Sequence, residues 1–130
     1  MRTLLILAAA LSSIALAGCV APLQSPQDYD GSWDGAWTLD DGSASGGVDM
    51  SLHASGRTVT GTVTLSGSIC VASGDFAGTV DAGGISGSFS NGFGTVELDG
   101  EVDASDHFQG SFHVVGGLCA GARGTFDMHH

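Results

Sequence analysis

The chain has 130 residues, 42% of them hydrophobic, and a formal net charge of −11. That apolar content suits a folded domain rather than wholesale disorder, and the length suits one small core. The acidic balance argues against nucleic acid as a partner, and against attachment to anionic lipid through the charged protein surface.

The chain opens on Met1-Arg2, a positive start, followed by a nearly unbroken apolar run from Leu4 to Leu16. Small residues then precede a cysteine, the pattern of a secretory signal, and the run is too short for a comfortable membrane span. Leu16-Ala17-Gly18-Cys19 resembles the lipobox of bacterial lipoproteins. The resemblance implies that residues 1–18 are a lipoprotein signal peptide, cleaved before Cys19. It also implies diacylglycerol on the Cys19 sulfur and an acylated new amino terminus. Val20 stands where retention signals often place Asp, which favours the outer membrane of a two-membrane cell, facing the periplasm or the exterior. Cleavage removes Arg2 and leaves Arg57 and Arg123 against fourteen carboxylates, a formal side-chain charge of −12. Firm attachment to the cell envelope then depends on the acyl chains.

Residues 19–31 read as a lipidated tether, with Pro22 and Pro26 among Gln, Ser and Asp in a polar, extended lead. Residues 32–130 carry one recurring pattern, apolar-x-Gly-x-apolar. It is centred on Gly35, Gly61, Gly78, Gly87, Gly100 and Gly110, with a weaker copy at Gly124. Val48-Asp49-Met50-Ser51-Leu52 has the same alternation with Met50 in the glycine's place. A period of two is the strand period. Between the copies stand turn-forming groups such as Asp40-Asp41-Gly42, Ser55-Gly56, Gly83-Gly84 and Asn91-Gly92. The fold expected is all-β: eight short antiparallel strands in an up-and-down meander. Closure into a small barrel is favoured over a sandwich because it removes exposed edges.

Glycine weakens a strand, so its recurrence on the inner face needs a cause. Either it lets strands bend so that large neighbours pack across the bend, or it leaves a hollow for a small ligand. Eight strands leave an interior that side chains can just fill, which favours the first. In a hollow barrel, Trp33, Trp37, Phe76, Phe89, Phe108, Phe112 and Phe126 are the candidate ligand-binding residues; in a filled one they are its packing.

Meander parity sorts the loops. Those near residues 38–47, 66–75, 90–95 and 115–121 fall at the end away from the tether. Cys70 and Cys119 both lie at that distal end, and an oxidising compartment makes a disulfide between them the default. In a round barrel the two loops face each other across the mouth, whereas bridged Cα atoms lie within about 7 Å. Either the loops fold inward over the mouth or the barrel is flattened.

Gly31-Ser32-Trp33 resembles the opening of the first strand in calycins, the lipocalin and avidin-like barrels, and Thr58-Val59-Thr60-Gly61-Thr62-Val63 is similar to a strand of avidin-like proteins. The resemblance implies an eight-stranded up-and-down barrel with a ligand at its open end. It spans about the first third of the domain. No tryptophan follows Trp37, so an avidin-like biotin cage has no counterpart here.

Glu97, Asp99, Glu101 and Asp103 form an outward row of carboxylates. Such a row diverges along a strand and reads as a solvated face rather than a cation site. His53, His107, His129 and His130 map to the tether end but lack metal-ligand spacing. Gly117-Leu118-Cys119-Ala120-Gly121 copies a nucleophile-elbow spacing without the helix that such a turn requires. These features point to no catalytic residue, metal centre or cofactor. The expectation is a non-enzymatic, lipid-anchored envelope protein with a binding or structural role. Two alternatives are carriage of a small apolar ligand and inhibition of a cationic, envelope-directed enzyme by an acidic surface, which makes a basic protein the other possible partner.

Overall fold

The computed structural model describes residues 24–67 and 72–130. The proposed leader, Cys19 and Cys70 lie outside the described residues. Eight antiparallel strands close into a barrel in sequence order. They are β1 (Gly31–Leu39), β2 (Ser45–Ser55), β3 (Thr58–Leu65), β4 (Ser73–Asp81), β5 (Gly84–Asn91), β6 (Gly94–Val102), β7 (His107–Gly117) and β8 (Arg123–His129). β8 pairs with β1 from Asp34↔His129 to Leu39↔Gly124, which completes the ring.

Every copy of the repeated pattern lies in a strand, save that Ala122 of the weakest stands just before β8, and its alternation is the alternation of burial. On β4, for example, Phe76, Gly78 and Val80 turn inward while Asp75, Ala77 and Thr79 turn outward. The glycines of the inner face are where the wall bends. Gly78 and Gly87 are register partners, and the Phe76 ring lies across both. Gly100 and Gly110 are partners too, and at Gly100 the Phe108 and Phe126 rings stand where a Cβ would go. At Gly35, Gly61 and Gly110 a Cβ would meet the carbonyl of the neighbouring strand. The belt thus lets strands approach closely and rings pack across the bend, the curvature role that small barrels require.

The start of the domain differs from the sequence reading. Residues 24–30 are not a tether but part of the packed fold. A 3-10 helix, Pro26–Tyr29, is capped by Ser25 and Asp28 in a reciprocal box. It turns Tyr29, fully buried, into the end of the barrel nearest the N terminus. Gln24 is fixed by two bonds to Val102: its Nε2 donates to the carbonyl at 3.2 Å, and its Oε1 accepts from the amide at 3.1 Å. Asp30 Oδ2 accepts from the Ala54 amide at 2.9 Å.

Candidate functional site

The interior has two storeys. At the N-terminal end it is filled. Phe108 is the hub, with Tyr29 at 5.2 Å, Trp33 at 5.6 Å and Phe126 at 5.2 Å between ring centroids, all edge to face. Such pairs are favourable beyond the area they bury. The polar handles are satisfied: Trp33 Nε1 donates to the Tyr29 carbonyl at 2.9 Å, and the Tyr29 hydroxyl donates to Gln24 Oε1 at 2.7 Å. Burial pushes the Tyr29 phenol up to about 12.

The distal storey is hollow, contrary to the filled interior expected from eight strands. A cavity of about 360 Å³ rises from Met50, Met128 and Phe126 to the distal loops, where Ser43, Ala44, Gly67 and Cys119 line it. Its walls are Trp37, Leu39, Val48, Val63, Leu65, Phe89, Val96, Leu98, Phe112, Val114 and Ala122. The volume lies in the range of small-molecule sites, and is more than twice that of a cavity able to hold benzene, about 150 Å³. The physical reason for the asymmetry is how the rings meet. Tyr29, Trp33 and Phe126 pack edge to face on Phe108 at one end, whereas at the other Trp37, Phe89 and Phe112 line the wall among Val, Leu and Ala and leave the space between them open.

Trp37 stands at the distal end, its ring edge to face with Phe112 at 6.3 Å. Its Nε1 donates to the Ser66 carbonyl at 3.1 Å, so the indole N–H is already engaged. The Ser66 hydroxyl in turn accepts from the Gly47 amide at 2.9 Å, which ties the start of the β3–β4 connection to β2. Among the described lining residues Ser43 carries the one hydroxyl, and no charged side chain of the described residues is buried. A charge brought into this cavity would find no partner, at a cost of several kcal/mol or a shifted pKa.

Of the seven aromatic residues proposed from the sequence, the structure brings Trp37, Phe89, Phe112 and Phe126 together around the cavity. Trp33 and Phe108 belong to the packed storey, and Phe76 lies over Gly78 and Gly87 in the wall. Sequence reasoning missed the aliphatic walls and the methionines of the floor, although their inward parity was a usable signal. Cys119 lines the mouth; its expected partner Cys70 lies outside the described residues. After Gly121 the chain enters β8, not a helix, so the nucleophile-elbow geometry is absent there.

The histidines and acids are distributed over the outside. His53 pairs with Asp30 at 3.6 Å, His107 with Asp127 at 2.9 Å, His113 with Glu97 at 3.2 Å and His129 with Asp34 at 3.9 Å. Its bond to Asp127 holds the His107 imidazole above the usual range. His130 stacks on Trp33 at 3.7 Å. Each imidazole thus has its own neighbour, and among the described residues no three such groups converge on one point. Within the row of carboxylates, Asp99 accepts from the Ser86 hydroxyl at 2.6 Å. Asp103 closes a turn by accepting from the Ser105 and His107 amides, which holds its carboxyl below the usual range.

No protein-family model matches the chain, and no curated protein does so either.

Proposed function

We propose that this chain is a lipid-anchored protein of the bacterial cell envelope that carries a small, uncharged, apolar molecule in the distal half of its barrel. One observation carries the proposal: a cavity of about 360 Å³ with apolar walls, partly open at the distal loops, above a packed aromatic floor. A cavity kept open in a small domain forgoes packing that its own side chains could supply, which marks it as functional. The calycin-like opening at Gly31-Ser32-Trp33 and the lipobox at Leu16-Ala17-Gly18-Cys19 support the same reading. It includes attachment through Cys19, an outer-membrane location, no enzymatic activity, and a Cys70–Cys119 disulfide worth about 2–4 kcal/mol.

Native mass spectrometry of the protein extracted from membranes in mild detergent tests the cargo. The expected result is one bound neutral molecule per chain; protein that is always empty overturns carriage. Cys19→Ala should move the protein from the membrane to the soluble fraction, and membrane retention overturns the anchor. Thiol titration of unfolded, unreduced barrel should find no free thiol, and two thiols overturn the disulfide.

A second reading, a basic partner on the outer wall, has one observation in its favour. Asp81, Asp99, Glu101 and Asp127 border a broad concavity floored by Gly84, Gly100 and Gly110. Binding of a basic protein there should weaken steeply with salt, whereas apolar carriage should not.

A further inference from the structure

Three large hydrophobic side chains are exposed among the described residues: Leu118 at 94%, Phe93 at 71% and Val115 at 44%. All three lie on one corner of the mouth. Phe93 is in the β5–β6 turn and Leu118 in the β7–β8 loop, and the strand ends beneath them are partners at Gly94↔Gly117 and Thr95↔Gly116. Val115 is the extra residue of a β-bulge, which leaves Val114 in the cavity wall and Val115 outside. We propose that this corner docks on a lipid bilayer and that the ligand enters the cavity from that bilayer. The proposal rests on the carrier reading above.

Charge and continuity argue for it. The chain has fourteen carboxylates, yet none falls in residues 90–96 or 114–122. An acidic protein held off an anionic bilayer by its charge has, at this corner, a patch without that repulsion. Arg123 follows directly and is exposed, while Arg57 is in the β2–β3 turn at the far end. Arg123 marks the border of the patch: the Asp40 amide donates to its carbonyl at 3.0 Å, so the acidic β1–β2 loop begins there. The loop that exposes Leu118 also supplies Cys119 and Ala122 to the cavity wall, so the exposed tip and the cavity share one short segment. The patch suits lipid better than a second copy of the chain. Two side chains on loop tips and one on a strand bulge fall well short of the ~800 Å² per partner of a stable protein interface. Gln24 is fixed at the opposite pole, so a barrel anchored just upstream of it turns this corner away from its own membrane, and the bilayer that the corner meets is a second one.

The barrel and its core are complete within residues 24–130, and that fragment is the protein to test. The probe is N-phenyl-1-naphthylamine, a neutral aromatic dye, offered free in buffer and loaded in phosphatidylethanolamine/phosphatidylglycerol vesicles. The uptake rate from vesicles should rise with vesicle concentration. A Phe93→Ser/Leu118→Ser double variant should take up dye from vesicles roughly tenfold more slowly, with its affinity in vesicle-free buffer within about twofold of the parent. A rate independent of vesicle concentration, or unchanged in the variant, means transfer through water and overturns docking while carriage stands. Dimerisation of the parent that the double variant abolishes, with unchanged vesicle transfer, assigns the corner to a second copy and overturns docking as well. Failure of the parent to bind dye in buffer overturns the carrier reading and this proposal together.

Discussion

Tyr29 is the chain's single tyrosine, so its ionisation can be followed by absorbance without ambiguity. Buried against Phe108 with its hydroxyl on Gln24, it should titrate with a midpoint near 12 rather than the ordinary 10. Because burial raises the folded-state value, the associated stability is complete below pH 10 and is lost as pH rises through 12. A midpoint near 10 in the folded protein means that the end of the barrel is open. The inner glycines make a second residue-level prediction. At Gly87 a Cβ would meet the Ala77 carbonyl, the Gly78 backbone and the Phe76 ring, so Gly87→Val should cost about 3 kcal/mol or more in denaturant unfolding. Gly92, in the β5–β6 turn, has nothing within reach, and Gly92→Ala should change stability by less than about 0.5 kcal/mol.

Between elements, the clearest electrostatic link is His107 on β7 to Asp127 on β8. Asp127 raises the imidazole and Asp103 adds to it, while His129, the register partner of His107, faces the same side. A raised histidine contributes stability below its ordinary value near 6.5 and loses it as pH climbs through the folded value. Between pH 8 and pH 6 the parent should therefore gain stability relative to Asp127→Asn, as read by thermal unfolding. Equal pH dependence in the two proteins would show that the contact is not made. At this scale most of the architecture was legible. The seven Gly-centred copies and the one centred on Met50 gave all eight strands, and Asp40-Asp41-Gly42 and Asn91-Gly92 marked their turns, because period-two burial and turn chemistry are local properties. The 3-10 helix was not legible. Residues 20–31 have the composition of a linker, and the one aromatic that anchors them meets its partner Phe108 79 positions later in the chain.

For the whole molecule, the barrel was readable but its hollowness was not. Inward parity says which side chains share the interior, not whether their volumes sum to it. That depends on Tyr29, Trp33 and Phe108 meeting at one end. If the distal half is empty, enlarging a wall residue there is not overpacking. Val114→Phe should leave stability within about 1 kcal/mol and abolish binding of apolar dye, whereas in a filled core the same change costs ~1–3 kcal/mol. The most direct test is a crystal structure of residues 24–130 under xenon pressure, since xenon enters dry apolar cavities of this kind. Xenon should be found among Phe89, Val96, Leu98 and Phe126, and not around Trp33 and Phe108. A distal half closed by its own side chains, with no xenon bound, would contradict a barrel built half as plug and half as cup.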